Sequence, residues 1–214
     1  MQKNNKNIPY LIGITGSFGM GKSFVGDLLK EASITVIDTD EIVKNILKTE
    51  NNITKQIIKE FGKSIINKEN EYINRKSLAD MIFTNEIKRK KLEFILHPEV
   101  NKEISSLILR NKDRKIFAVL IPLLFECNLE NDYNEIWCVY CKSKVQYKRL
   151  IKKGFTKEEI TARTNSQLPI EEKMKKSNFV IDNSESRDKT KNQVILRLKE
   201  LVQLDHNLHL FFDK

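Results

Sequence analysis

Apolar residues along the chain fall into short runs of strand type separated by stretches with helical spacing. Tyr10 to Thr15, Ile34 to Ile37, Ile116 to Ile121, Ile136 to Tyr140 and Phe179 to Asp182 are short, apolar and rich in β-branched or aromatic residues. Strands covered on both faces have this composition. Between them, apolar residues recur three and four apart: Val25, Leu28 and Leu29; Ile53, Ile57, Ile58 and Phe61, stopped by Gly62; Leu78, Met81, Ile82 and Phe83; Val194, Leu198 and Leu201. Strands alternating with helices predict a parallel, doubly wound α/β sheet. Pro98, after His97, is expected in the first turn of a new helix covering Val100, Ile104, Leu107 and Ile108, where its missing N–H costs nothing. From Lys144 to Ser177 the pattern is a charged, amphipathic helical section broken at Gly154 and Pro169.

The first strand and first helix are joined by Gly16-Ser17-Phe18-Gly19-Met20-Gly21-Lys22-Ser23. This fits G-x-x-x-x-G-K-S/T, the P-loop that wraps backbone amides around the phosphates of a nucleoside triphosphate. Glycines let successive N–H groups turn inward, and a helix starting near Lys22 adds its positive end to the same anion site. Lys22 is then expected to reach the β- and γ-phosphates, and the Ser23 hydroxyl to take a place on Mg²⁺.

Phosphoryl transfer also asks for positive groups around the migrating phosphoryl and for a carboxylate that serves the attacking oxygen. The strand Ile116 to Ile121 ends in Pro122-Leu123-Leu124-Phe125-Glu126, with no aspartate at the usual Walker B place. Asp38 and Asp40 instead follow the second strand, at the carboxyl end where open α/β sheets place ligands. If that strand continues to Asp40, alternation sends both carboxylates to one side, one to hold Mg²⁺ through water and one to accept the acceptor hydroxyl's proton. The competing reading is an ordinary strand-to-helix turn with Asp40 as its N-cap. Arg149 and Arg163 are candidates for closing over the triphosphate, because the guanidinium fork matches phosphate oxygens.

The chain has 214 residues, enough for one α/β core with appendages and too few for two full-sized domains. Its net charge of +9 is spread over lysines mixed with acids, the pattern of a basic surface and not of a nucleic-acid stripe. The polar start, Met1 to Asn7, lacks the apolar core of a signal peptide, and no run approaches the ~18 apolar residues of a membrane span. The expectation is a cytoplasmic protein with neither nucleic acid nor membrane as partner. Cys127, Cys138 and Cys141 are odd in number, which argues against a disulfide framework. Cys138 and Cys141 form C-x-x-C without a second pair and read as core thiols; His206 and His209 form H-x-x-H and read as tail residues.

Taken together, these segments resemble the dephospho-coenzyme A kinase family almost end to end. The likeness is carried by Ile14-Thr15-Gly16 leading into the P-loop, Val36 to Asp40, Ile73-Asn74-Arg75 before Leu78, and His97-Pro98-Glu99-Val100. It continues in Pro122 to Glu126, Gln146 with Arg149-Leu150, Ala162-Arg163 followed by Gln167, and Phe179 to Asn183. It implies transfer of the γ-phosphoryl of ATP to the ribose 3′-hydroxyl of dephospho-coenzyme A by a monomer or weak homo-oligomer. The implied architecture is a three-layer P-loop kinase fold: a core of 1–44, 95–143 and 178–214, a helical acceptor-binding insertion of 45–94, and a lid of 144–177. Catalysis is implied for Lys22, Asp38, Asp40 and Arg163. ATP contacts are implied for Gly16, Ser17, Gly19, Met20, Gly21, Lys22, Ser23, Phe24, Arg149 and Arg163. Acceptor contacts are implied for Thr15, Asp40, Arg75, His97, Leu123, Phe125 and Glu126, and Mg²⁺ contacts for Ser23 and Asp38. Three positions depart from the family pattern: Phe24 for threonine, Lys153 for a second lid arginine, and Thr164 for an aliphatic residue. Rival readings are another P-loop kinase of small molecules or nucleoside monophosphates, and a nucleotide-dependent nucleic-acid-binding protein.

Overall fold

The first strand, β1 (Tyr10–Thr15), lies at the centre of a five-stranded sheet of order β2-β3-β1-β4-β5. Its neighbours are β3 (Ile116–Leu120) and β4 (Glu135–Tyr140), and β5 (Phe179–Asp182) lies beyond β4, each of these pairs being parallel. β2 (Thr35–Asp38) is at the opposite edge, next to β3. The chain leaves β1 toward one edge and later returns to build the other, so the end of β1 is the topological switch point where such sheets bind ligands. The structure, a computed structural model, describes residues 9–204 except 68, 69, 71 and 84. His206 and His209 lie outside the described residues.

The chain divides into two compact units, one running to Ile37 and resuming at Ile108, the other Asp38–Leu107. The 45–94 segment falls in the second unit and the 144–177 segment in the first. In the first unit the sheet carries α1 (Lys22–Glu31), α6 (Ser143–Lys152), α7 (Lys157–Asn165), α8 (Ile170–Lys176) and α9 (Arg187–Leu204). β3 is buried at every position, as an uninterrupted apolar run predicts. Ile12, Ile14, Val25, Leu29, Trp137, Ile181, Val194 and Leu198 form the core between sheet and helices.

The second unit holds α2 (Thr39–Leu47), α3 (Asn52–Phe61), α4 (Arg75–Phe83) and most of α5 (Glu86–Arg110). Its own core contains Leu47, Ile57, Phe61, Ile65, Ile73, Leu78, Leu92 and Leu96. Asn51 opens α3 through a capping box with Thr54, and Gly62, at φ +81°, closes it.

Two expectations are corrected. Pro98 does not open a helix: it lies inside α5, which runs on for 25 residues. An interior proline costs ~3 kcal/mol, but Leu92, Leu96, Val100 and Ile104 are buried on both sides of it, at a spacing of four. That continuous apolar stripe offsets the lost hydrogen bond, and Pro98 itself faces solvent. The second strand also stops earlier than the alternation argument required. Thr39 is already helical, and Asp38, not Asp40, caps α2, its carboxylate accepting from the Asp40 N–H at 2.9 Å.

Candidate active site

The loop between β1 and α1 is built around positions that exclude a side chain. Gly16 has φ +144°, and a Cβ there would lie 2.4 Å from the Val139 carbonyl oxygen of β4. Gly21 caps α1 at φ +106°, and its Cβ would stand 2.0 Å from Asn183 Nδ2. Asn183 uses that amide to donate to the Met20 carbonyl at 2.9 Å, while its Oδ1 accepts from Thr190 Oγ1 at 3.1 Å. The Cys141 N–H donates to Met20 Sδ at 3.0 Å. The loop is thus fastened from β4 and from the turn after β5. Lys22 Nζ donates to the carbonyls of Gly16 at 2.6 Å and Ser17 at 3.4 Å, which holds the ammonium at the loop. No acidic residue occupies the first turn of α1, so nothing there offsets the positive end of the helix dipole.

The helical section 144–177 reaches this loop at several points. Arg149 on α6 has its Nη1 4.0 Å from the Cβ position of Gly21. With Lys144, Lys148 and Lys152 it lines an open groove of about 450 Å³. Arg163 on α7 has its guanidinium 5.0 Å from the ring centres of both Phe18 and Phe155. Phe24, on α1, carries the guanidinium of Arg187 over its ring at 4.7 Å. Thr164, a departure from the family pattern, buries its Oγ1 without a hydrogen-bond partner, so an aliphatic side chain loses nothing there.

The turn after β3 is organised by a residue that sequence reasoning missed. Lys173 on α8 is fully buried. Its Nζ donates to the Pro122 carbonyl at 2.7 Å and pairs with Glu126 Oε1 at 2.8 Å. Glu126 Oε1 also accepts from the Leu168 N–H at 2.9 Å, whereas its Oε2 is buried without a partner. Thr15 Oγ1 shares the Pro122 carbonyl at 3.4 Å, and Phe125 carries Lys176 over its ring at 5.7 Å. Thr15, Phe125 and Glu126 are therefore brought together around this turn, with Leu123 within it. In a lysine-rich helix nothing distinguishes Lys173 from its solvated neighbours except the apolar register of α8. Removing one member of a buried pair costs about 3–5 kcal/mol. Lys173→Met is accordingly expected to lose about that much in urea unfolding, and a loss below 1 kcal/mol would show the pair to be unimportant.

Four predicted residues belong to the second unit. Asp38 and Asp40 stand at the start of α2, the first half-buried and the second exposed. Arg75 is exposed at the start of α4, and His97 is half-buried in α5. Burial holds His97 below its usual pKa, favouring neutral imidazole. Burial pushes Cys138 up to about 11 and raises Cys141 as well, so both are protonated core thiols at neutral pH. Among the described residues, no three or more His, Cys, Asp or Glu side chains are grouped to hold a metal, and no helix is long and apolar enough to cross a membrane.

Backbone amides gathered at the end of the central strand, with a lysine at the loop and a helix behind it, are how P-loop kinases hold ATP. The chain has the α/β fold of that class and is an ATP-dependent phosphotransferase. The family profile described as dephospho-CoA kinase matches residues 10–189, and the chain belongs to that family. A dephospho-CoA kinase from Carboxydothermus hydrogenoformans is 38% identical over 193 residues, covering 89% of this chain and 93% of the relative. The crystal structure of TT1252 from Thermus thermophilus has a TM-score of 0.77 at 29% identity, covering 90% of this chain and 98% of that one. A dephospho-CoA kinase structure from Campylobacter jejuni has a TM-score of 0.64 at 27% identity, covering 94% and 100%.

Proposed function

We propose that this chain transfers the γ-phosphoryl of ATP to the ribose 3′-hydroxyl of dephospho-CoA, giving CoA and ADP. The observation that carries the reading is a formed P-loop, with Lys22 drawn onto it, inside a chain whose residues 10–189 match the family. In this reading Gly16, Ser17, Gly19, Met20, Gly21 and Lys22 cradle the triphosphate from the loop. Ser23 and Phe24 continue the ATP site along α1. Arg149 and Arg163 approach the phosphates from the 144–177 section, which serves as a lid. Thr15, Arg75, His97, Leu123, Phe125 and Glu126 receive the acceptor, and 45–94 is the acceptor-binding insertion. The unpartnered Glu126 Oε2 supports this, since a buried carboxylate oxygen gains from a donor the acceptor brings.

Asp40 accepts the proton of the attacking hydroxyl, and Asp38 serves the metal with Ser23. Ser23 offers a hydroxyl and Asp38 a carboxylate, the hard oxygen donors that Mg²⁺ takes alongside phosphate oxygens and water. Mg²⁺ would neutralise phosphate charge as the phosphoryl migrates. A cytoplasmic location fits Cys138 and Cys141 remaining buried thiols outside any disulfide, and a monomer or weak homo-oligomer is the expected state.

Incubation with ATP, Mg²⁺ and dephospho-CoA is expected to yield CoA, heavier than the acceptor by one phosphoryl, with ADP in equal amount. Turnover of a different alcohol or of a nucleoside monophosphate, and none of dephospho-CoA, would move the chain to another P-loop kinase activity.

A further inference from the structure

Phe18 occupies one of the four unspecified positions of the P-loop pattern, so phosphate binding makes no demand on its side chain. The structure nevertheless gathers contacts from the 144–177 section onto this one residue. Its N–H donates to Gln167 Oε1 at 2.8 Å, and its carbonyl accepts from Gln146 Nε2 at 2.5 Å. Its ring meets that of Phe155 edge to face, at 5.1 Å and 87°. The Arg163 guanidinium lies 5.0 Å from both ring centres. Neither ring is fully buried, so filling the core does not account for the pair.

From this arrangement we infer that Phe18, with Phe155, is a positioning residue for Arg163. The inference rests on the phosphoryl-transfer reading above and adds to it the way the lid arginine is aimed. An arginine side chain has many rotamers to lose when it binds phosphate. Two aromatic faces attract the guanidinium and cut that number before nucleotide arrives. The Gln146 and Gln167 bonds hold the backbone of Phe18 from the same section, so the tip of the loop and Arg163 move together. Lid placement is thereby registered to the phosphate cradle through a loop position whose backbone amide Gln167 already occupies.

Phe18→Leu removes the aromatic face while keeping apolar bulk. It is expected to lower kcat about tenfold, from a lost cation–π contact and slight misplacement, with KM for ATP within about threefold of wild type. Arg163→Lys is expected to be slower still, and Phe18→Leu added to it should slow it no further, because residues acting through one another are not additive. Phe18→Tyr should restore the rate. Phe155→Leu, outside the loop, should reproduce the Phe18→Leu effect and serves if that variant folds poorly. A second readout needs no acceptor: a non-hydrolysable ATP analogue should slow amide exchange across 157–165 in wild type and not in Phe18→Leu. If dephospho-CoA is not phosphorylated but this protection is seen and lost as described, the substrate assignment falls and the positioning role stands. If CoA forms normally and Phe18→Leu matches wild type, or its effect multiplies with that of Arg163→Lys, the positioning role is overturned.

Discussion

Lys22→Ala is expected to abolish nearly all turnover, with kcat down by roughly 10²–10³-fold or more, the range for removing one preorganised group from a developing negative charge. The ammonium lies 2.6 Å from the Gly16 carbonyl, so it is already at the loop when phosphate arrives. The fold should survive. Lys22 is the first residue of α1 and only partly buried, its ammonium donates to carbonyls of the loop, and alanine is the best helix former. Steady-state assays beside a thermal melt decide the matter: an unchanged melt with lost turnover places Lys22 on the phosphates. Turnover close to wild type would remove the P-loop from the chemistry.

Asp40→Asn is the second large effect, a fall in kcat of roughly 10²–10⁴-fold with acceptor binding retained, the range for a positioned general base. Asparagine keeps the shape and leaves the backbone N–H of residue 40 to the Asp38 carboxylate, which now holds it at 2.9 Å. The helix loses one acidic group from its first turn. Asp38→Asn separates the roles cleanly, because asparagine caps a helix as well as aspartate does, leaving the metal contact as the difference. That variant should need more Mg²⁺, and excess metal should restore its rate. Rescue of Asp40→Asn by Mg²⁺, with no rescue of Asp38→Asn, would exchange the two assignments.

The loop between β1 and α1 could be read directly from the chain, for a physical reason. Gly16 and Gly21 occupy left-handed backbone against Val139 and Asn183, where other residues are excluded, so the loop conformation is written in residue types. The strands were equally plain because β3 and β4 are buried along nearly their whole length, which calls for unbroken apolar runs. Charged residues were harder to interpret. A lysine has the same local signature whether it faces water or, like Lys173, a buried carboxylate. Asp38 and Asp40 could be singled out, but not the cap that ends the strand between them.

Sequence by itself therefore determined the order of strands and helices, the P-loop, and the family to which its segments belong, since each depends on local residue types and spacing. Tertiary structure alone decided that α5 continues through Pro98, that Asp38 caps α2, that Lys173 binds Glu126 and Pro122, and that Phe18 meets Phe155 and Arg163. In each of these cases the outcome depends on a packing stripe, a hydrogen bond or a side-chain contact formed only when the chain is folded. Burial then changes what a proline costs and what a charged group can pair with, and neither quantity can be read from residue type alone.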